Sequence, residues 1–171
     1  MSPAPRFAQE ATAGVISDTH GLLRPEAVAL LKGSGIIFHA GDVGDARVIR
    51  GLQAIARVVA VRGNNDNGGW AKKLPLRERV EFGGVRFYVL HNLKELDIDP
   101  AAEGFQVVVS GHSHRPSIEM REGVLFINPG SAGPRRFNLP ISLARVSLTL
   151  EGVGAKILQL PAQGGAEEVG K

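Results

Sequence analysis

The chain has 171 residues, enough for one domain with a sizeable core, and its 43% hydrophobic and 22% charged residues are ordinary for a globular protein. With no cysteine it forms neither a disulfide nor a thiolate metal site, and no apolar run is long enough to span a membrane. The net charge of +3 comes from scattered Lys and Arg, a weak tilt toward anionic partners that gives nucleic acid no specific support.

Residues 1–12 lack the apolar stretch of a secretory leader, so a cytoplasmic location is expected. Together with the polar, Gly-rich 163–171 they read as flexible tails on a single domain spanning 1–171. A first strand is expected over 13–17, with Asp18 and His20 just past its end. Pro25 opens an amphipathic helix over 26–32, whose apolar face is Val28, Leu30 and Leu31, stopped by Gly33 and Gly35. A buried strand over 36–39 runs into Gly41-Asp42. Asp45 caps a second helix over 46–56. A third strand over 57–62 ends at Gly63-Asn64-Asn65-Asp66. This βαβαβ alternation predicts a parallel sheet, and ligands of such sheets gather beyond the carboxyl ends of the strands, where each motif falls.

The rhythm then changes. Residues 79–82 and 85–90, joined by Gly83-Gly84, read as a hairpin ending at His91. Residues 92–103 form a loop or short helix, and a buried strand over 105–110 leads to Gly111-His112-Ser113-His114. Further hairpins are expected from 118–120 with 124–127, and from 141–150 with 155–160. Hairpins after βαβ units imply two sheets packed face to face and covered by helices.

Asp18 and His20, and likewise His112 and His114, are two apart, so in extended chain each pair faces one side. Hard oxygen donors and imidazoles gathered at several strand ends are what a site for two divalent cations needs. Asp-x-His alone is a weak signal. Its occurrence in chain order with Gly-Asp, Gly-Asn-x-Asp, His91 and His-x-His is a strong one.

From Asp18 to about Arg136 the chain resembles a calcineurin-like metallophosphoesterase, of the small bacterial and archaeal YfcE-type phosphodiesterases. Ile127-Asn128-Pro129-Gly130-Ser131 with Pro134-Arg135 resembles that group's loop after the last ligand. The resemblance implies an α/β (α+β) fold, a four-layer αββα sandwich of two packed mixed β-sheets flanked by helices. It implies that Asp18, His20 and His114 hold one metal, that Asn64, His91 and His112 hold the second, and that Asp42 bridges them. It implies a hydrolase in which metal-bound water, deprotonated to hydroxide, attacks a phosphodiester or phosphomonoester of a small substrate. Mixed nitrogen and oxygen donors suit manganese first, and iron, zinc or nickel as well.

Two departures stand out. Relatives often carry His where this chain has Asn65, which cannot protonate a leaving group, so good leaving groups are favoured. The family commonly has His-Gly where this chain has His91-Asn92; if the second position needs positive φ, Asn is the next most tolerant residue.

Plainer roles compete at other positions. His39, inside a strand, suits a core or ligand-orienting role better than ligation. Asn64 and Asp66 are candidates for phosphate contact or for orienting ligands, and Asp66 for capping a turn. Arg24, Arg115, Arg135 and Arg136 are surface arginines by default or clamps for substrate phosphate, with Arg115 and Arg135 the favoured pair. Trp70 is a packing residue or a rim aromatic. Two rival functions share the implied fold: a non-catalytic protein-interaction scaffold, as in the retromer subunit of this fold, and a nuclease. A homo-oligomer is compatible with the sequence.

Overall fold

The computed structural model describes residues 10–161. The first strand, β1 (Ala11–Ile16), begins ahead of the expected 13–17, because Ala11 and Thr12 pair with Leu148 and Ser147 of β9 (Ser142–Thr149). That long-range contact converts part of the expected N-terminal tail into strand. Of the tails expected over 1–12 and 163–171, residues 1–9 and all of the second lie outside the described residues.

Helix α1 (Pro25–Leu31) starts on Pro25, whose missing N–H costs nothing at that position. Its buried face is Ala27 and Leu31, while Val28 and Leu30 are half-buried. The helix turns this way because β1 offers Gly14 as a floor, and a side chain there would collide with Leu31. Strand β2 (Ile36–His39) follows, buried throughout. Helix α2 (Ala46–Gln53) is capped by Asp45, whose carboxylate accepts from the Arg47 N–H at 2.8 Å, and it buries Val48 and Leu52. It stops short of residue 56, where the chain turns into β3 (Arg57–Ala60).

The remaining strands are β4 (Arg77–Phe82), β5 (Val85–Leu90), β6 (Val107–Val109), β7 (Ser117–Arg121), β8 (Val124–Asn128) and β10 (Gly152–Gln159). They form two five-stranded mixed sheets, ordered β10-β9-β1-β2-β3 and β4-β5-β6-β8-β7. β1, β2 and β3 run parallel, as do β5, β6 and β8. The sheets pack through Val15, Phe38 and Val59 on one side and Phe87, Val107 and Ile127 on the other. Phe38 and Phe87 stack with centroids 4.6 Å apart. Burying each such side chain contributes roughly 1.5–3 kcal/mol.

The outer face of the first sheet is covered by α1 and α2 over Ile16, Ile37 and Leu143. The outer face of the second is covered more thinly. A 3-10 turn (Leu93–Glu95) with Leu96, Ile98 and Phe105 packs on Tyr88 and Val108, so this fourth layer is loop rather than α-helix. Trp70 is half-buried and packs into the helix-side core, the packing role among its two expected ones. The parallel order brings the carboxyl ends of β1, β2 and β3 to one end of the first sheet, and those of β5 and β6 into register beside each other in the second.

Candidate metal centre

Seven side chains expected to ligate metal converge at these strand ends. The Asp18 Oδ1 atom lies 3.4 Å from His114 Nε2, 3.9 Å from His20 Nε2 and 4.0 Å from His91 Nε2. Asp42 Oδ2 stands 3.8 Å from His20 Nε2 and 3.4 Å from His91 Nε2, between the two halves of the cluster. Asn64 Oδ1 lies 2.9 Å from His91 Nε2 and 3.1 Å from His112 Nδ1. Two overlapping groups, Asp18-His20-His114 and Asp18-Asp42-His91, each bring their donor atoms within 4.8 Å of one another.

The backbone that presents these groups is strained. Among the described residues, seven non-glycine residues have positive φ, and five of them are Asp18 (55°), His20 (46°), Asp42 (53°), His112 (69°) and His114 (60°). Such conformations cost on the order of 1–3 kcal/mol each and persist only where surrounding structure over-determines them. Here the surroundings do so through backbone hydrogen bonds. The N–H groups of Asp18 and His20 donate to the carbonyls of Gly41 and Asp42, both at 3.0 Å, and Gly111 N–H donates to His91 O at 2.8 Å. Of the other two, Glu122 (50°) with Gly123 (79°) makes the tight turn between β7 and β8, and Phe137 (54°) lies in an exposed loop. Asn92, by contrast, is extended at φ −111°, so the position after His91 makes no left-handed demand.

Hydrogen bonds then orient the side chains. His91 Nδ1 lies 2.7 Å from the Ala40 carbonyl, which can only accept, so that nitrogen carries the proton and Nε2 faces the cluster. Asp42 accepts from the Asn65 backbone N–H at 2.8 Å and from its side-chain amide at 2.9 Å. Asp18 accepts from Ser17 Oγ at 2.7 Å and from His112 N–H at 3.0 Å. Asp66 is buried and accepts from the N–H groups of Gly63 (2.8 Å), Gly44 (2.9 Å) and Val43 (3.2 Å), tying the Asp42 loop to the Asn64 loop. It therefore acts on loop position. His39 is fully buried; its Nδ1 accepts from Gly41 N–H, its Nε2 donates to Thr19 Oγ1, and Thr19 donates to Val43 O. It orients the loops from within the core.

Electrostatics follow this arrangement. Burial alone would raise the Asp42 carboxyl, but the neighbouring His91 imidazole and the hydrogen bonds from Asn65 hold it well below the usual carboxylate range. Burial opposes ionisation of Asp18 too, and His114 and Ser17 outweigh it. Burial disfavours the charged form of His91, yet the Asp42 and Asp18 carboxylates raise its pKa overall. Burial lowers His20, with the charge of Arg136 adding to it against the two carboxylates. Burial pushes His39 down to about 4, so it is neutral.

The donor set fits divalent cations. Asp18 Oδ1, His20 Nε2 and His114 Nδ1 are buried without a hydrogen-bond partner. Around His91 Nε2 stand Asn64 Oδ1, Asp42 Oδ2 and His112 Nδ1 at 2.9, 3.4 and 3.3 Å, a convergence of lone pairs that a cation resolves.

The expected phosphate-clamping arginines are placed differently from one another. Arg24 is buried and donates to the Gly133 carbonyl at 3.2 Å. Arg135 donates to Leu139 O at 3.3 Å, and Arg115 is exposed. The arginine whose charge reaches His20 is Arg136. Sequence reasoning missed Asn65 as an orienting group, and Gly-Asn-Asn-Asp carries no local sign of it.

The sequence profile of the calcineurin-like phosphoesterase superfamily domain matches residues 12–151. A probable metallophosphoesterase of Methanocaldococcus jannaschii is 35% identical over 131 residues, covering 69% of this chain and 66% of that one. The solved structure of an archaeal phosphodiesterase superposes with a TM-score of 0.73 at 24% identity, covering 87% of this chain and 99% of that one. Vacuolar protein sorting 29 of Cryptosporidium parvum superposes with a TM-score of 0.70 at 17% identity, covering 90% and 99%. At these identities the two structures show a shared fold.

Proposed function

The chain belongs to the calcineurin-like phosphoesterase superfamily, and we propose that it is a metal-dependent phosphoesterase, in the first instance a phosphodiesterase, acting as one domain around two divalent cations. The observation that carries this is the convergence of Asp18 Oδ1 and His20 Nε2, both buried without a hydrogen-bond partner, with the Nε2 atoms of His91 and His114 around the buried carboxylates of Asp18 and Asp42. Asp18, His20 and His114 would hold one cation, Asn64, His91 and His112 the other, and Asp42 both. When bound, the cations lower the pKa of water, to ~7 in favourable cases, and supply positive charge for phosphoryl oxygens. Manganese is the first metal to test, then iron, zinc and nickel.

The chain's own groups set the rest. Ala40 fixes the His91 tautomer, and Asn65 and Ser17 hold the two carboxylates ionised and aimed. Arg136 brings a cation to the His20 side, where a phosphate monoanion gains from it. Asn65, spent on Asp42 and without an acidic proton, gives none to a leaving group. Esters of good leaving groups therefore turn over fastest. A structural relative described as an archaeal phosphodiesterase supports the diester reading.

The test is hydrolysis of bis(4-nitrophenyl) phosphate with manganese, alongside elemental analysis. Wild type should take up metal and hydrolyse the diester. Asp42→Ala and His112→Ala should lose activity while keeping the wild-type circular dichroism. Turnover at wild-type rates in both would refute the assignment. A protein that binds no metal under any loading condition supports the scaffold reading, which the shared fold of vacuolar protein sorting 29 keeps in play.

A further inference from the structure

A groove of about 490 Å³ leaves the candidate centre and runs over the outer face of the second sheet. It begins at His112 and at Asn92, the neighbour of His91, and its floor includes Phe126. On β7, alternate residues Ser117, Glu119 and Arg121 line it, while Ile118 and Met120 point the other way. Ser117 pairs with Asn128, whose side-chain amide is bonded to Gly111 O and Ser113 Oγ in the ligand loop. Strand β7 therefore starts beside the centre and carries Arg121 about 13 Å beyond Ser117.

The volume falls in the range of small-molecule sites, roughly 300–1,000 Å³, and far exceeds what a phosphoryl group needs. Its chemistry changes along its length. At the near end, Lys94 makes no ion pair among the described residues, and Asn92 spends only its carbonyl oxygen, on Lys94 N–H. At the far end, the Arg121 guanidinium lies over the Phe126 ring, 4.9 Å from its centroid, and is tied to Glu119 at 2.8 Å. An exposed pair like this adds little stability. What it does is hold a planar cation flat on an aromatic ring with its charge balanced. Such a shelf suits a planar ring, by stacking, and does not suit a second phosphate.

We infer that this groove is the subsite for an ester substituent of the substrate, and that Phe126 and Arg121 select a planar aromatic one. The inference rests on the phosphoesterase reading for the position of the phosphate. Ser117→Trp tests it, since an indole at this exposed position fills the groove without entering the core. Arg121→Ala, which removes the shelf, is the second variant. With the metal-free protein, millimolar adenosine should shift the backbone amide resonances of Ser117, Arg121 and Phe126, inorganic phosphate should not, and Ser117→Trp should abolish the shifts. With the metal-loaded protein, both variants should raise KM for bis(4-nitrophenyl) phosphate, up to about tenfold, while kcat changes far less. Adenosine shifts in a protein inactive with every metal would support the groove and refute the hydrolase reading. An active protein with no adenosine shifts, and with KM unchanged in both variants, would overturn the groove alone.

Discussion

Replacing Asp66 by alanine tests how the two ligand loops are held in register. The carboxylate accepts three backbone N–H groups, from Val43 and Gly63, both buried, and from Gly44, which is exposed. Hydrogen bonds to charged groups contribute about 1.5–3 kcal/mol each, and a buried donor left unpaired costs a similar amount. Counting only the two buried donors, because water can reach the third, Asp66→Ala should lose about 3–6 kcal/mol of stability. Val43 and Gly63 share Oδ2, so Asp66→Asn with its carbonyl oxygen at that position still accepts from both and should lose well under the alanine figure. Urea unfolding of the metal-free protein, followed by circular dichroism, measures both. Because the same contacts hold Asp42 and Asn64 in place, metal affinity should fall with stability. A loss below about 1 kcal/mol in Asp66→Ala would refute the reasoning, since it would mean those amides find equal partners elsewhere.

Gly111→Ala should weaken metal binding and cost about 1–3 kcal/mol, because its methyl would overlap Ser17 Oγ and stand 2.7 Å from Asp18 Oδ2; calorimetric metal titration reads the first, and unchanged affinity would count against the packing argument. The His39 imidazole, held near pKa about 4 by burial, binds one proton fewer than its unfolded form between that value and the ordinary 6.5. Stability should therefore fall as pH drops from about 6.5 to about 4, by up to ~3 kcal/mol, and His39→Gln should flatten that slope in unfolding curves taken across the interval. Metal affinity should also fall on acidification. The raised pKa of His91 lets protons compete from above 6.5 downward, whereas Asp18 and Asp42, with lowered values, stay ionised. Titrations at several pH values check this, and a pH-independent affinity would speak against His91 as a ligand.

Much of the architecture was legible because it rests on local pattern. Apolar runs of four to six residues ending in Gly-Asp, Gly-Asn or Gly-His placed the strand ends, and the helices between them fixed the parallel order of β1, β2 and β3. What escaped depends on contacts distant in sequence. Ala11 and Thr12 become strand only through β9. The face of α1 is chosen by Gly14 beneath it, so Leu31 is buried as expected but is joined by Ala27, while Val28 and Leu30 are only half-buried. The candidate ligands were read from residue type, spacing and the family resemblance, but the extended geometry assumed for Asp18 and His20 is absent. Left-handed turns set by the Gly41–Val43 carbonyls aim them instead. Asn65 and Asp66 are the same case: their partners lie more than twenty residues back in the chain.

The left-handed turns at Asp18, His20, Asp42, His112 and His114 have a further consequence. Glycine would relax every one of them, so at these five places the most comfortable residue for folding is one that could not serve in the proposed ligation. Selection for durability alone would erode the centre first. A laboratory drift experiment that rewards only thermal survival should recover small, pliant residues there before it touches the packed interior, and a descendant that had abandoned its chemistry would carry that signature.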